Sequence, residues 1–562
     1  MKHFALAAAA FAVLTAAAHT ASAFCGFYVS GSGQKLANDA TQVVMMREGT
    51  RTSLAMQNDY KGPPEKFAMI IPVPVVLQKD NVKTLPKDVF AKIEELDAPR
   101  LVEYWEQDPC SLSGVADAFG AGGLGLSGIG EGGGGRGEGI GLGVKVEAHF
   151  DVGEYEIVIL SAKDSTGLDT WLKQEKYSIP EGAEPVLRPY VAAGMKFFVA
   201  KVDPAKVTFE NGHAALSPLR FHYDTDTFTL PVRLGLLNSS GTQDLIVHII
   251  GKGKRYEAAN YPNVTIPTNL DVEEATSSQF AAFYAALFDR TAEKNPKAVV
   301  TEYSWDAGNC DPCPGPPLDA SQVATFGGDI MPTRVASVPG GGSLGGGQWG
   351  GFYGGVQGYV LTRLHLRYGK DTLGDDIVFR EAPPITGGRE GFARFGSDAG
   401  AFRQERGSKP APENNFQARY VIRHAWTGPM LCDHPERGNW GGPPQTDAAV
   451  LFQPSSKPRA ATKLAFAPRG QLQLASFVSP SQVPELSLLA VVAVPTPAMS
   501  AAAPDAGAAA AKAKSSGCMG CAVGGSDPSA PIALGAAGFV LLAWRRRYLR
   551  RVRRKTDRNP RP

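Results

Sequence analysis

The sequence lacks the short motifs that mark common enzyme classes. The glycine-rich stretch 132–143 does not end in the Lys-Ser/Thr pair of a phosphate-binding loop, and no His-Glu-x-x-His zinc helix occurs. Gly341–Gly345 matches the nucleophile-elbow string, but it lies in a glycine tract with no predicted strand before it and no helix after it. The sequence therefore predicts no catalytic residue from these motifs.

Excess positive charge is also absent from most of the chain. The formal net charge is +2, but residues 545–562 hold ten basic groups and a single acid, so the remainder is mildly acidic. A nucleic-acid partner would need a basic surface on the folded part. The composition therefore argues against nucleic acid as a partner.

No apolar run reaches the length of about 20 residues that a helix needs to cross a bilayer unaided. The run 531–544 has 14 residues. We still predict a transmembrane helix there, because the arginines that follow it can snorkel and the membrane can thin. Those arginines also predict a cytoplasmic C-terminus and an exported body upstream.

The N-terminus has the pattern of a signal peptide at 1–23. Lys2 precedes an apolar stretch that ends in Ala21-Ser22-Ala23, a small-x-small cleavage pattern. The mature chain is expected to start at Phe24. Lipidation at Cys25 is disfavoured, because lipoprotein processing needs a small residue in place of Phe24.

A cysteine motif precedes the predicted transmembrane helix. Gly517, Cys518, Gly520 and Cys521, with the helix and the arginine cluster, resemble the C-terminal sorting tag of myxobacterial surface proteins. This resemblance implies a sorting protease as a partner and display at the cell surface. A plain membrane anchor that is never processed is the alternative. Both interpretations place the body in the cell envelope, outside the cytoplasm.

Glycine-rich and alanine/proline-rich stretches divide the chain. The tract 120–143 holds 14 glycines and the tract 340–358 holds 11, which predicts flexible or disordered insertions. The expected parts are a signal peptide 1–23, an N-terminal β-rich part 24–112, an insertion 113–143, an α+β body 144–336, a glycine-rich segment 337–358, a C-terminal β-rich part 359–442, a linker or stalk 443–516 and the sorting tag 517–562.

Strand patterns outnumber helical ones between these breaks. Thr41–Arg47 and Thr50–Gln57 flank Glu48-Gly49, a hairpin signal, and Phe67–Val76 carries prolines that predict a sheet edge or strand end. The longest helical pattern is Ser277–Lys294. Strands and helices do not alternate strictly. The expected fold is therefore α+β and β-rich, with mostly antiparallel sheets and a few packed helices.

Several separated motifs resemble a bacterial family known as domain of unknown function 2330. They are Ala23–Tyr28, Gln57–Tyr60, Ile71–Pro74, Tyr104–Cys110 and Cys310–Pro314. The resemblance covers roughly residues 24–440. It implies an exported protein, and it implies no activity because the family has none established.

Cysteines are the best candidates for chemistry in the exported part. Cys25, Cys110, Cys310, Cys313 and Cys432 are disulfide candidates, because cysteines outside the cytoplasm usually pair. The favoured bridge is Cys25–Cys110, with Cys432 bonded to one member of the Cys310/Cys313 pair. A thioredoxin-type redox site is disfavoured, because Trp305 does not directly precede Cys310 and prolines follow Cys313.

Zinc is the alternative for these cysteines. Cys310-x-x-Cys313 has the spacing of a zinc half-site, and Cys432 with His434 could complete a Cys₃His set. Disulfides are favoured over zinc, because the compartment is expected to be oxidising and Cys-x-His is not a common ligand pair. No other cofactor is predicted.

The function that these features favour is a structural or interaction module of the cell envelope, anchored in the membrane or displayed at the surface. An exported metal- or cysteine-dependent enzyme is one alternative. Extracellular ligand binding is another, and a deep aromatic pocket would favour it. Trp426, Trp440 and the aromatic residues near Gly350 could form an exposed binding surface or, equally, the packed lid of a core. His149, His248 and His365 lie in strand-like runs and are interpreted as structural.

Overall fold

The structure is a computed structural model of the whole chain. It describes residues 26–30, 40–110, 144–332, 356–389, 407–443, 458–462 and 472–486, with short gaps at 58, 62–65, 208, 211–212, 240, 357, 436, 439 and 484–485. The predicted signal peptide 1–23, the predicted insertion 113–143, most of the segment 337–358, the predicted sorting motif and the predicted span 531–544 lie outside the described residues. Residues 493–562 lie outside the described residues as a whole.

Strands are numbered along the chain. The first sheet has five strands in the order β1-β5-β10-β9-β8, all antiparallel. Its strands are β1 (Phe27–Ser30), β5 (Phe67–Val73), β8 (Val144–Val152), β9 (Tyr155–Ala162) and β10 (Lys196–Val202).

The second sheet has eleven strands and is mostly antiparallel. Its central order is β19-β20-β15-β2-β3-β13, in which only β15 and β2 run parallel. Its strands are β2 (Ala40–Glu48), β3 (Arg51–Met56), β6 (Val82–Thr84), β13 (Leu219–Asp224), β15 (Thr242–Lys252), β17 (Asn263–Thr265), β19 (Val299–Asp306), β20 (Tyr359–Gly369), β22 (Ile385–Gly387), β23 (Lys409–Pro410) and β24 (Asn415–Gln417).

A third sheet joins distant parts of the chain. Here β25 runs parallel to both β18 and β7, and β26 and β27 pair antiparallel with β7. Its strands are β7 (Arg100–Glu106), β18 (Leu270–Asp271), β25 (Arg419–His424), β26 (Trp440–Gly441) and β27 (Arg459–Ala460). Two small sheets hold β4 (Asp59–Lys61), β11 (Phe209–Glu210) and β12 (His213–Ala215), and β14 (Thr229–Leu230), β16 (Arg255–Ala258) and β21 (Ile377–Ala382).

Helices cover the outer faces of these sheets. The five α-helices of the described part are α1 (Val89–Asp97), α2 (Ser165–Gln174), α3 (Ala183–Ala192), α4 (Phe280–Lys294) and α5 (Ala320–Val323). The first two sheets enclose the largest core between them; α2 and α3 pack on the far side of the five-stranded sheet, and α1 and α5 on the far side of the eleven-stranded one. Helix α4 shares a core with the third sheet.

Period-two alternation explains why the strands can be buried on both faces. In β5, Phe67, Met69 and Ile71 face the core between the two sheets, whereas Ala68 and Ile70 face α2 and α3. The expectation of a β-rich α+β fold with mostly antiparallel sheets and few helices is confirmed.

Two local expectations need correction. Strand β5 lies inside its sheet and not at an edge, but the other alternative, a strand end, agrees with the structure, because β5 ends at Val73 between the two prolines. Pro72 is tolerated because β1 pairs with β5 only as far as Ile70. The stretch 443–516 is not a linker throughout: β27 pairs with β7, and Leu474, Val478 and Leu486 are buried beside α4. Apolar burial outweighs the polar, proline-containing composition there.

Candidate functional site

Two parallel strands end side by side at one edge of the third sheet. Strand β25 pairs with β7 in a register that places His424 opposite Trp105. Because parallel strands run in the same direction, the segments that follow both strands leave from the same edge. The residues after Glu106 and after His424 are therefore brought together, although more than 300 positions separate them in the sequence.

A disulfide fixes these two segments to each other. Cys110 and Cys432 are bonded, with 5.4 Å between their Cα atoms and a sequence separation of 322 residues. The chain then returns to the sheet as β26, in which Trp440 pairs with Glu106. The segment 425–439, called here the cleft loop, is therefore held by β25 at its start and by β26 at its end, with the disulfide between.

Aromatic side chains line a cleft of about 660 Å³ beneath the cleft loop. The rings of Trp105 and His424 stack with centroids 4.6 Å apart, and the Arg423 guanidinium lies 4.8 Å from the centre of the Trp440 ring. The lining residues are Trp105, Glu106, Glu274, Arg423, His424, Ala425, Trp426, Thr427 and Gly428. Trp426 and Trp440, singled out in the sequence, thus both belong to this region.

Glu106 anchors the cleft loop. Its side chain is 4% exposed, and its two oxygens accept the backbone N–H groups of Gly438 at 2.8 Å and Trp426 at 3.0 Å. Arg437 adds an ion pair at 2.9 Å. Burial alone would raise the pKa of Glu106, but these donors outweigh it and the pKa is lowered. An ionised carboxylate with both oxygens occupied suits a structural anchor and not a proton donor.

The cleft loop carries a buried, unsatisfied donor and two exposed apolar side chains. The indole Nε1 of Trp426 is buried and has no hydrogen-bond partner among the described residues. On the cleft loop, Leu431 is 83% exposed and Met430 is 43% exposed, and they are the exposed large apolar side chains of the described chain. Adjacent exposed apolar side chains are typical of a binding surface.

The predicted cysteine pairings differ from those observed. Cys110 is bonded to Cys432, and Cys310 is bonded to Cys313. The favoured Cys25–Cys110 bridge and the bridge from Cys432 to the Cys310/Cys313 pair are therefore corrected. Cys25 lies outside the described residues. The parallel pairing of β7 with β25 decides the first bridge, and no local sequence signal predicts that pairing.

The alternative zinc site loses its thiolates in this arrangement. Cys310, Cys313 and Cys432 are all in disulfides, and His434 is exposed on the cleft loop. Within the described ranges, no group of three or more His, Cys, Asp or Glu residues is placed to hold a metal ion. The structure thus does not bring the four predicted ligands together as a zinc site.

A buried ionic cluster was not predicted from the sequence. Asp97 bonds to His248 at 2.5 Å and to Arg363 at 3.0 Å. Arg363 also bonds to Glu302 at 2.6 Å, and Glu302 bonds to His365 at 2.7 Å. All five side chains are at most 1% exposed. The cluster joins α1, β15, β19 and β20, so it stabilises the fold and has no contact with solvent.

The charges in this cluster shift the pKa values of Glu302 and His365. Burial would raise the pKa of Glu302, but His365 and Arg363 lower it to about 2. Burial would lower the pKa of His365, but Glu302 and Asp244 raise it. Tyr284 donates to Glu302 at 2.8 Å, and the Phe288 ring stacks on His365 with centroids 3.7 Å apart. These contacts also attach α4 to the eleven-stranded sheet.

A family model for uncharacterized proteins conserved in bacteria, DUF2330, matches residues 19–380. The chain belongs to this family. The match includes β7 but ends before β25, so the DUF2330 model covers one half of the cleft, and it also ends before the expected limit near residue 440. No curated protein and no solved structure matches the chain.

The described residues of this DUF2330 protein contain no helix that is both long and apolar enough to span a membrane. The helix predicted at 531–544 and the motif Gly517–Cys521 are not among them. The membrane anchor and the sorting tag therefore stay predictions.

Proposed function

We propose that this DUF2330 protein is an exported interaction module of the cell envelope, which binds a partner protein through the aromatic cleft. The observation that carries the proposal is the cleft loop itself, pinned by Cys110–Cys432 and presenting Leu431 at 83% exposure. An interface of this kind uses exposed apolar and aromatic groups.

Export is supported by the chemistry of the chain. Disulfides persist in oxidising compartments, and four described cysteines form two of them. The signal-peptide pattern at 1–23, the apolar run 531–544 and the arginines after it agree with a body held outside the cytoplasm. The protein would be anchored in the membrane or displayed at the surface after processing by a sorting protease.

The sorting step can be tested separately from binding. Replacing Cys518 and Cys521 together by serine is expected to abolish surface display, measured by labelling intact cells with an impermeant reagent, while Met519→Ala leaves display unchanged. Equal labelling of the serine variant would show a plain anchor instead. Sequencing the mature N-terminus is expected to give Phe24. A mature chain that starts at Met1 would contradict export.

Binding is tested by cross-linking on intact cells. Leu431→Asp is expected to remove the cross-linked partner, because a charge replaces an apolar contact, and its exposure means that folding is not disturbed. Trp426→Ala, which removes an aromatic side chain from the cleft lining, is expected to weaken the same cross-link. The matched control is Ala259→Asp, an exposed site outside the cleft lining. Retention of the partner in both cleft variants would refute the proposal.

A further inference from the structure

The Cys310–Cys313 bridge differs in kind from Cys110–Cys432. It closes a ring over a sequence separation of only 3 residues, compared with 322 for the other bridge. A short loop removes little entropy from the unfolded chain, so such a bridge adds less stability than a long-range one. Its position is therefore not explained by stabilisation of the fold alone.

One cysteine of this bridge is exposed. Cys313 is exposed, whereas Cys310 is 8% exposed. The next residue, Pro314, lines a second cleft of about 570 Å³ together with Ala91, Glu95, Pro458, Arg459, Ala460 and Thr462. A thiol of a second molecule can therefore reach Cys313 from solvent, with a concave surface beside it to receive that molecule.

A buried cation lies against the same turn. Arg100 is fully buried, and its guanidinium donates to the carbonyl of Pro312, between the two cysteines, at 2.8 Å and to the carbonyl of Leu96 at 2.6 Å. Its Nε has no hydrogen-bond partner among the described residues, and the carboxylates of Asp97 and Asp311 act on it electrostatically. A buried cation beside the turn stabilises a negative charge that develops nearby, including that of a thiolate.

We propose that Cys310–Cys313 is a thiol–disulfide exchange site that accepts two electrons from a dithiol. A thiolate of the dithiol attacks Sγ of Cys313, the S–S bond breaks, and Cys310 leaves as a thiolate. The second thiol of the dithiol then attacks its own sulfur in the mixed disulfide and releases Cys313. The dithiol becomes a disulfide, and its two protons end on Cys310 and Cys313.

This exchange site is not of the thioredoxin type. Trp305 does not adjoin Cys310, and the prolines after Cys313 prevent the helix that follows the first cysteine in that design. The exposed cysteine is the second one, and the positive charge comes from the side chain of Arg100 in β7. The inference is independent of the aromatic cleft.

The test is graded reduction of the purified, oxidised full chain with dithiothreitol, followed by alkylation and peptide mass mapping. We expect Cys310 and Cys313 to be alkylated at dithiothreitol concentrations that leave Cys110–Cys432 oxidised and the circular dichroism spectrum native. Reduction of both bridges only as the protein unfolds would overturn the proposal. The proposal would also be overturned if Cys310–Cys313 stayed oxidised at a dithiothreitol concentration that fully reduces a small exposed reference disulfide.

Arg100 acts as a positioning residue, and its effect is measured from the redox equilibrium between Cys310–Cys313 and dithiothreitol. Arg100→Gln is expected to lower the equilibrium constant for reduction of Cys310–Cys313 by dithiothreitol by about three- to tenfold, because the thiolate loses a nearby cation. Arg100→Lys is expected to restore most of it. Equal constants for wild type and both variants would exclude Arg100 from the site. If a variant does not fold, the wild-type titration against Cys110–Cys432 still decides the exchange proposal.

Discussion

Arg363 donates from Nε to Glu302 at 2.6 Å, and neither side chain has any exposure to solvent. The pair lies on the neighbouring strands β20 and β19, on the face of the eleven-stranded sheet that α4 covers. Taking two charges out of water is costly, and the cost is offset because Glu302 also bonds to His365 and Tyr284. Removal of the Glu302 charge takes one buried partner from Arg363 and one from His365, which then keep Asp97 and Asp244.

Glu302→Gln is therefore expected to lower the free energy of unfolding by about 3–5 kcal/mol. The measurement is urea denaturation of the wild type and the variant. Asp88→Asn is the control, because Asp88 and Lys92 form an exposed pair with side chains 65% and 52% exposed. That change should alter stability by less than about 1 kcal/mol. Equal losses in the two variants would contradict the assignment.

Acid should weaken the fold through the same carboxylate. The pKa of Glu302 in the folded protein is about 2, below its ordinary value of 4.5. A lowered pKa contributes stability that is complete above pH 4.5 and is lost as the pH falls towards 2. Urea midpoints measured across this range are expected to fall less steeply for Glu302→Gln than for the wild type. A parallel decline in both proteins would mean that other groups control acid unfolding.

Glu106 is expected to control the order of the cleft loop. Glu106→Ala removes the acceptor for the N–H groups of Trp426 and Gly438, so hydrogen exchange at those two amides should accelerate. Glu274→Gln, at an exposed position of the cleft lining, is the control and should leave both amides protected. Unchanged exchange in Glu106→Ala would show that the disulfide and β26 suffice to hold the loop.

The two disulfides should differ in their contribution to stability. Replacing both Cys110 and Cys432 by serine is expected to cost about 2–5 kcal/mol, because that bridge constrains a very long loop of the unfolded chain. Replacing both Cys310 and Cys313 by serine should cost markedly less. Denaturant midpoints of the two double variants provide the comparison. A larger loss from the short-range pair would contradict this order.

Local elements of the fold could be predicted where the signal is local. The hairpin of β2 and β3 turns at Gly49-Thr50, one residue beyond the predicted Glu48-Gly49, and Gly49 has φ 59°, a conformation that glycine adopts without steric cost. Helix α4 follows from apolar residues at helical spacing, with Phe283, Leu287 and Thr291 on its buried face. The predictions of this hairpin and of this helix depend only on residues that are close together in the sequence.

The candidate site could not be predicted in this way. Trp105 and His424 stack only because β7 and β25 pair in parallel, and the same pairing brings Cys110 to Cys432. The residues of the ionic cluster are likewise spread from Asp97 to His365, and each would be interpreted as an isolated charge or a strand histidine. Contacts at such separations leave no periodicity in the sequence.

The sequence by itself determined the β-rich class, the family and the positions of the hairpins and the long helix, because these depend on alternation, turn residues and local motifs. Only the tertiary structure decided which cysteines bond, which charges are buried together and where the aromatic side chains form a cleft. Those outcomes depend on the register and direction of strand pairs far apart in the chain, which are selected by burial of whole sheet faces.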